Sequence, residues 1–220
     1  MEYKIDEKRV YICRGIPASG KSTWSKEFAH RFFRSVVRLS NDDIRRMMGV
    51  YWVPTRENLV KKMKRDAVRM ALDAGYSVVV DDMNLDPHQI RSIIDAATNG
   101  WKSYTQRKHN DDTLFILRFI NVDFPIDVET AINRDANRHG DEHIGEDVIR
   151  HIHETYRFHV AYHNKIKPGE SGPILYQTTY LTYHTKAGGQ KYHYGEISKE
   201  LGMKPPEDLQ IFPLYCDNKK

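Results

Sequence analysis

Apolar residues in this chain gather in short, nearly unbroken runs: Val10 to Cys13, Val36 to Leu39, Val78 to Val80 and Leu114 to Val122. Runs of that length and content predict strands buried on both faces, the pattern of a parallel sheet. Between them the apolar positions recur every three or four residues, as Trp24, Phe28 and Phe32, then Leu59, Met63, Ala67, Met70 and Ala74, then Ile90, Ile93 and Ile94. That spacing puts each set on one side of a helix. Ile126 to Asn137 and Glu146 to about His163 read as two further helices, the second with Ile149, Ile152 and Tyr156 on one side. Strands alternating with helices predict an α/β fold, a parallel sheet flanked by helices.

The polar residues punctuate the pattern. Ser40-Asn41-Asp42-Asp43 precedes a short helical stretch, Ile44 to Met48, and Thr55 after Pro54 is placed to cap the helix that Gly75 ends. Asp86, Pro87 and Gln89 form a capping box for a helix expected to run to about Ala97, with a polar stretch from Asn99 to Asp112 after it. Past Pro168-Gly169 the period changes to two. Ile174 to His184 alternates apolar and polar residues, Gly188-Gly189 makes a turn, and Tyr192 to Tyr194 can pair back as a hairpin. A short helix at Glu196 to Leu201 and a run from Leu209 to Tyr215 close the chain. Two segments follow, 1–165 as the α/β domain and 166–220 as a C-terminal extension of unassigned role.

Composition narrows the class. With 220 residues, 40% hydrophobic content and a mean hydropathy of −0.67, the chain can bury a full core and has no run of membrane-spanning length. The charged N-terminus, Met1 to Arg9, is no signal peptide. Cys13 and Cys216 alone give neither a disulfide framework nor a zinc pattern, so a reducing, cytoplasmic setting is expected. His159 and His163 have a spacing that can hold zinc, but no cysteine joins them and the zinc reading is declined. A net charge of +4 is compatible with a nucleic-acid partner and does not establish one. Lys61, Lys62, Lys64, Arg65 and Arg69 read as a solvated helix face. Tyr176, Tyr180, Tyr183, Tyr192 and Tyr194 can stack bases, though alternate tyrosines on strands more often pack half-buried.

The chemistry concentrates in Gly15-Ile16-Pro17-Ala18-Ser19-Gly20-Lys21-Ser22-Thr23, between a strand and an amphipathic helix. Glycines at this spacing let the backbone curl until successive N–H groups point at phosphate oxygens: a phosphate-binding loop. Lys21 then reaches the β and γ phosphates of ATP, Ser22 puts a hydroxyl where Mg²⁺ sits, and the helix N-terminus adds positive potential. Asp42 and Asp43 fall at the carboxyl end of a strand, where open parallel sheets bind ligands. Asp81 and Asp82 close the next strand, and one carboxylate there commonly holds Mg²⁺ or its water shell. Asp82 is the first choice and Asp81 the second. Arg134 and Arg138 are four apart, which on a helix puts both on one face beside a Gly-containing loop placed to close over the nucleotide; either can instead salt-bridge to Asp135, Asp141 or Glu142.

Taken in series, Gly15 to Trp24, Ser40 to Arg45, Asp81 to Pro87 and the Arg134/Arg138 pair resemble the 5′-hydroxyl polynucleotide kinases of the bacteriophage T4 type, over about residues 8 to 160. The resemblance implies a P-loop kinase fold with a helical lid, and transfer of the γ-phosphoryl of ATP to a 5′-OH end of DNA or RNA in strand repair. Position by position, Gly15, Ser19, Gly20, Lys21, Ser22 and Thr23 bind the phosphates, with Ser22 and Asp82 on the metal side. Asp42 is the general base, Arg45 grips the acceptor phosphate, and Arg134 and Arg138 clamp the donor phosphates. No Asp-x-Asp-Gly-Thr nucleophile motif is present, so the 3′ phosphatase activity of the phage enzymes is expected to be absent.

Two rivals keep the same residues. The kit of loop and aspartate also serves kinases of small metabolites, of tRNA-bound serine, or of hydroxymethylated bases in viral DNA, which differ only in the acceptor pocket. A nucleic-acid binding module gated by ATP would lack the base or the lid arginines, whereas Asp42, Arg134 and Arg138 are all present.

Overall fold

A computed structural model describes residues 4–108, 113–156, 174–186 and 189–194. Six strands form one sheet: β1 (Lys4–Arg14), β2 (Val36–Leu39), β3 (Ser77–Asp81), β4 (Thr113–Asp123), β5 (Ile174–Lys186) and β6 (Gly189–Tyr194), in the spatial order β2-β3-β1-β4-β5-β6. The first four are parallel, and β5 and β6 continue the sheet antiparallel beyond β4. The helices are α1 (Lys21–Arg31), α2 (Asn41–Met47), α3 (Glu57–Asp73), α4 (Pro87–Arg107), α5 (Val128–Ala136) and α6 (Glu146–Tyr156). This is the P-loop kinase architecture, a parallel sheet flanked by helices.

Strand β1 shows how the sequence builds two layers. Its side chains alternate, so Val10 and Ile12 face α3 and α4 in one core, while Tyr11 and Cys13 face α1 in another, with Trp24 stacked on Phe28. A third, smaller cluster joins Ile16 and Leu85 to Ile126, Ala131 and Ile149, which docks α5 and α6 against the start of the phosphate loop. Burial also pushes the Cys13 thiol well above its usual range.

Several boundaries differ from the sequence expectation, each for a physical reason. β1 begins at Lys4 because its charged first half pairs with β4 and its charges find partners: Asp6 accepts from Tyr104 Oη at 2.7 Å, and Glu7 from Arg118 Nε at 2.8 Å. Helix α4 runs to Arg107 instead of Ala97, since Trp101 and Tyr104 prolong its buried stripe. α2 begins at Asn41 instead of Ile44 because Ser40 caps it: its Oγ accepts from the Asp42 N–H at 3.1 Å, so Asp42 and Asp43 sit in the first turn. The residues before α3 form a 3₁₀ turn, Pro54–Arg56, and Thr55 makes no cap. The buried stripe of α3 is Val60, Lys64, Val68 and Leu72, one residue on from the expected one, and Leu59 and Met70 are exposed. The period of four was legible and its phase was not, because Lys64 sits in the stripe. The hairpin expected in the tail is present as β5 and β6, whereas His159, His163, Glu196 to Leu201 and Leu209 to Tyr215 lie outside the described residues.

Helices α3 and α4 cross where Gly100 meets the backbone of Arg69. A Cβ on residue 100 would lie 2.1 Å from the Arg69 carbonyl oxygen, closer than atoms can approach. Gly100→Ala therefore has to part the two helices. We expect a loss of about 1–3 kcal/mol, the usual cost of overpacking, read as a lower urea midpoint at unchanged slope.

Candidate active site

The phosphate loop takes a shape that few residues other than glycine allow. Gly15 has φ +154°, and a Cβ there would lie 2.9 Å from both the Phe124 carbonyl oxygen and Ser19 Oγ; Gly20, with φ +98°, is the left-handed residue from which α1 starts. The Gly15 N–H donates to the Met83 carbonyl at 3.1 Å, which ties the loop to the end of β3. Lys21 is buried and its Nζ donates to the Ile16 carbonyl at 2.7 Å and to Ser19 Oγ at 3.2 Å. Its ammonium thus bridges its own loop. Burial lowers the Lys21 pKa to about 8 against the pull of Asp81, and the charge of nearby Arg138 lowers it further.

The end of β3 carries two buried carboxylates, and each has its own cation. Asp81, 2% exposed, accepts from Ser22 Oγ at 3.3 Å, Ser25 Oγ at 2.7 Å and Arg38 Nη2 at 2.6 Å. Arg38 also donates to Asp43, so a continuous chain of hydrogen bonds links the phosphate loop to α2. Asp82 turns the other way, accepting from Lys64 Nζ at 2.6 Å and from the Asn41 N–H at 3.0 Å. Burial raises its pKa and Lys64 opposes the rise. Of the two, Asp81, the second choice of the sequence reading for the metal side, lies against Ser22, whereas Asp82, the first choice, faces Lys64. Lys64, read as part of a solvated face, is only 3% exposed.

On α2, Asp42 and Arg45, read from the sequence as base and acceptor grip, are joined directly. Asp42 Oδ1 accepts from Arg45 Nη1 at 2.6 Å and from Tyr51 Oη at 2.9 Å. Arg45 is in turn gripped by Glu57 through two parallel bonds, Nε to Oε1 at 2.8 Å and Nη2 to Oε2 at 2.6 Å. Burial, then Asp42, push the Tyr51 phenol up to about 12, so it remains a donor at neutral pH.

The two arginines beyond β4 do not share a helix face. α5 ends at Ala136, and Arg138 follows in a turn closed by its N–H to the Asp135 carbonyl at 2.9 Å. Arg134 is exposed on the last turn of α5. The organiser of this segment is Asp135, whose buried carboxylate accepts from the N–H groups of Ile144 and Gly145 at 3.0 Å and 2.9 Å and sets the loop that leads into α6. Glu142 of the same loop accepts from Arg46 of α2 at 3.3 Å.

Arg38, Lys64, Glu57 and Tyr51 had no role in the sequence reading. For the first two a signal existed: Arg38 interrupts an apolar strand, and Lys64 stands four residues from Val60 and from Val68 on a buried stripe. A cation at such a position needs a buried carboxylate.

Hard oxygen donors at Ser22 and Asp81, beside a glycine-shaped loop, suit a divalent cation such as Mg²⁺ bound with a phosphate. Among the described residues no helix is long and apolar enough to cross a membrane. A family model described as an AAA domain matches residues 10–161, more than half of the chain, and the chain belongs to that family, whose members of this type are P-loop kinases. A curated relative, the L-seryl-tRNA(Sec) kinase of Methanococcus maripaludis, is 30% identical over 91 residues, covering 40% of this chain and 35% of that protein. The chain thus spans about a third of that relative's length. Solved structures similar to this chain include the Pnkp1/Rnl/Hen1 RNA repair complex, with 23% identity, TM-score 0.46 and coverage of 76% of this chain and 48% of that one. Another is a fungal RNA kinase, with 18% identity, TM-score 0.43 and coverage of 76% and 70%.

Two outcomes follow from the buried charges. Lys64→Met leaves the Asp82 carboxylate buried without its cation, so it should cost about 3–5 kcal/mol in urea unfolding, and adding Asp82→Asn should restore a large part. Lys21 has the opposite sign from an ordinary ion-paired lysine: its pKa is low in the free protein, and phosphates beside Nζ must raise it. ATP binding should therefore take up a proton, increasingly so between pH 7 and 9, as measured by titration calorimetry in buffers of different ionisation heat. Lys21→Met should remove that uptake; an unchanged uptake would assign the titration to another group.

Proposed function

We propose that this P-loop kinase transfers the γ-phosphoryl of ATP to the 5′-OH end of a DNA or RNA strand, with Asp42 as the general base. The observation that carries the reading is the state of one carboxylate. Among the described residues both bonds to Asp42 go to Oδ1, from Arg45 and Tyr51, so the group is fixed in orientation while Oδ2 is left for an acceptor hydroxyl. In the transfer the acceptor O–H proton passes to Asp42 Oδ2, the acceptor oxygen bonds to the γ-phosphorus, and the bond from that phosphorus to the β,γ-bridging oxygen breaks to leave ADP.

Lys21, with Gly15, Ser19, Gly20, Ser22 and Thr23, holds the donor phosphates, and Arg138, close enough to Lys21 to depress its pKa, supplies the lid charge together with Arg134. Ser22 and Asp81 would hold Mg²⁺, which when bound offsets charge between the β and γ phosphates. Arg45 both orients Asp42 and offers its remaining N–H groups to the phosphate next to the acceptor end; a guanidinium has five, of which three are committed to Asp42 and Glu57. The likeness to the seryl-tRNA kinase favours a second acceptor, a serine hydroxyl carried on tRNA, over a small metabolite or a hydroxymethylated base.

Incubation with γ-labelled ATP and a panel of 5′-OH oligonucleotides, 5′-phosphate controls, seryl-tRNA, hydroxymethylated DNA and nucleosides separates these acceptors. Label confined to 5′-OH ends is expected. On that substrate Asp42→Asn should lower kcat by about 10²- to 10⁴-fold with little change in ATP affinity or Tm. Full turnover by Asp42→Asn would remove it as the base.

A further inference from the structure

The end of α2 and the stretch before α3 expose three large apolar side chains, Met47, Val50 and Trp52, and Trp52 lies against Arg45, the partner of Asp42. The chain's other tryptophans are placed as apolar bulk ordinarily is: Trp101 is fully buried, and Trp24 is stacked on Phe28 and set edge-on to Phe124. Trp52 is 57% exposed. Its indole is also held: the Arg45 guanidinium lies over the ring, 5.2 Å from its centroid, and Arg45 is itself fixed by Glu57. One guanidinium thus touches the indole and, through Nη1, the Asp42 carboxylate. An exposed aromatic plane, oriented from one side by a cation and a single side chain away from the acceptor carboxylate, is what the flat face of a heterocycle can stack on.

We propose that Trp52 is the seat of the acceptor's terminal nucleobase, a specificity-determining contact that selects a nucleoside end over an acceptor hydroxyl without a base. The inference rests on the polynucleotide reading above. With the 5′-OH at Asp42 Oδ2, the sugar spans the guanidinium and the base falls on the indole. Stacking is tolerant of base identity because every base presents a π face, so the seat selects for a base without selecting a sequence. The Arg45 charge serves both ends at once, holding the ring by cation–π attraction and the carboxylate by a charged hydrogen bond.

The test uses the full chain. Tryptophan emission is titrated with a 5′-OH oligonucleotide, and kcat/KM is compared for that oligonucleotide and for one whose 5′-terminal residue is abasic. The expected result is a saturable quench that Trp52→Phe abolishes, since Trp101 is fully buried and the half-buried Trp24 is stacked on Phe28. Trp52→Ala should lower kcat/KM on the normal end by about 10- to 100-fold, the scale of one base–aromatic stack, and leave the abasic end unaffected. Trp52→Phe should recover part of the loss, and an exposed position predicts an unchanged Tm. Equal kcat/KM for normal and abasic ends, or a quench that survives Trp52→Phe, overturns the seat. The two readings fail separately: labelling of 5′-OH ends with no contribution from Trp52 sinks the seat and keeps the kinase, whereas a Trp52-dependent quench with no labelling sinks the polynucleotide kinase and keeps the seat.

Discussion

Two neighbouring carboxylates at the end of β3 set the geometry of everything around them. Burying one charge in a protein interior costs several kcal/mol unless a partner compensates it, and here two carboxylates sit in consecutive positions, the Asp81 side chain 1% exposed and that of Asp82 11%. Side chains of successive strand residues point to opposite faces, so Asp81 and Asp82 cannot share one cation. Asp81 draws Arg38 from β2 together with Ser22 and Ser25 of α1; Asp82 draws Lys64 from α3 and the backbone of Asn41 from α2. One dipeptide therefore fixes the first turn of the phosphate helix, the start of α2 and the middle of α3. The site is rigid for an electrostatic reason before any ligand enters.

The same arrangement explains what was legible in the sequence. Strands and the phosphate loop were readable because buried parallel strands need continuous apolar runs and a phosphate cradle needs glycine at fixed spacing. The Asp42 and Arg45 pair went unread because the helix was expected to start only at Ile44, whereas α2 begins at Asn41 and puts the two three residues apart on it. The order of Asp81 and Asp82 was not readable either: two carboxylates in sequence say that one lies on each side, and only the positions of Arg38 and Lys64, both distant in the chain, decide which side meets Ser22. α3 was misphased for the same cause, since a lysine on the buried stripe reads as polar until its partner is known. Arg138 was expected to share a helix face with Arg134, but α5 stops at Ala136, where the chain turns to bring Ile144 and Gly145 onto Asp135.

Asp135 gives the lid segment the character that β3 gives the site. Its buried carboxylate collects two backbone N–H groups and His143 Nδ1 at 3.2 Å, while Ile126, Ala131 and Ile149 pack on Ile16 at the loop's start. The segment is thus docked by an apolar cluster and folded internally by one acid. Its link to α2, by contrast, is the exposed pair of Arg46 and Glu142 at 3.3 Å. Exposed pairs contribute roughly 0–1 kcal/mol and are screened by salt, so this contact between the loop of Glu142 and α2 is a weak one.

Asp42 stands at the opposite extreme. Its Oδ1 is held by two donors, one of them an arginine already clamped by Glu57 in two places, the other the Tyr51 phenol. A half-exposed carboxylate on a seven-residue helix would ordinarily sample several rotamers, and ordering a side chain at the moment of reaction costs free energy that then reduces turnover. Here the ordering is complete in the folded protein. Glu57 and Tyr51 touch no reacting atom, yet they decide whether Asp42 meets a hydroxyl with a fixed oxygen or a mobile one. The buried pairs around β3 and the exposed pair of Arg46 and Glu142 are then complementary: on the proposed reading, the carboxylate that takes the proton is held still beside a segment tied to α2 only weakly.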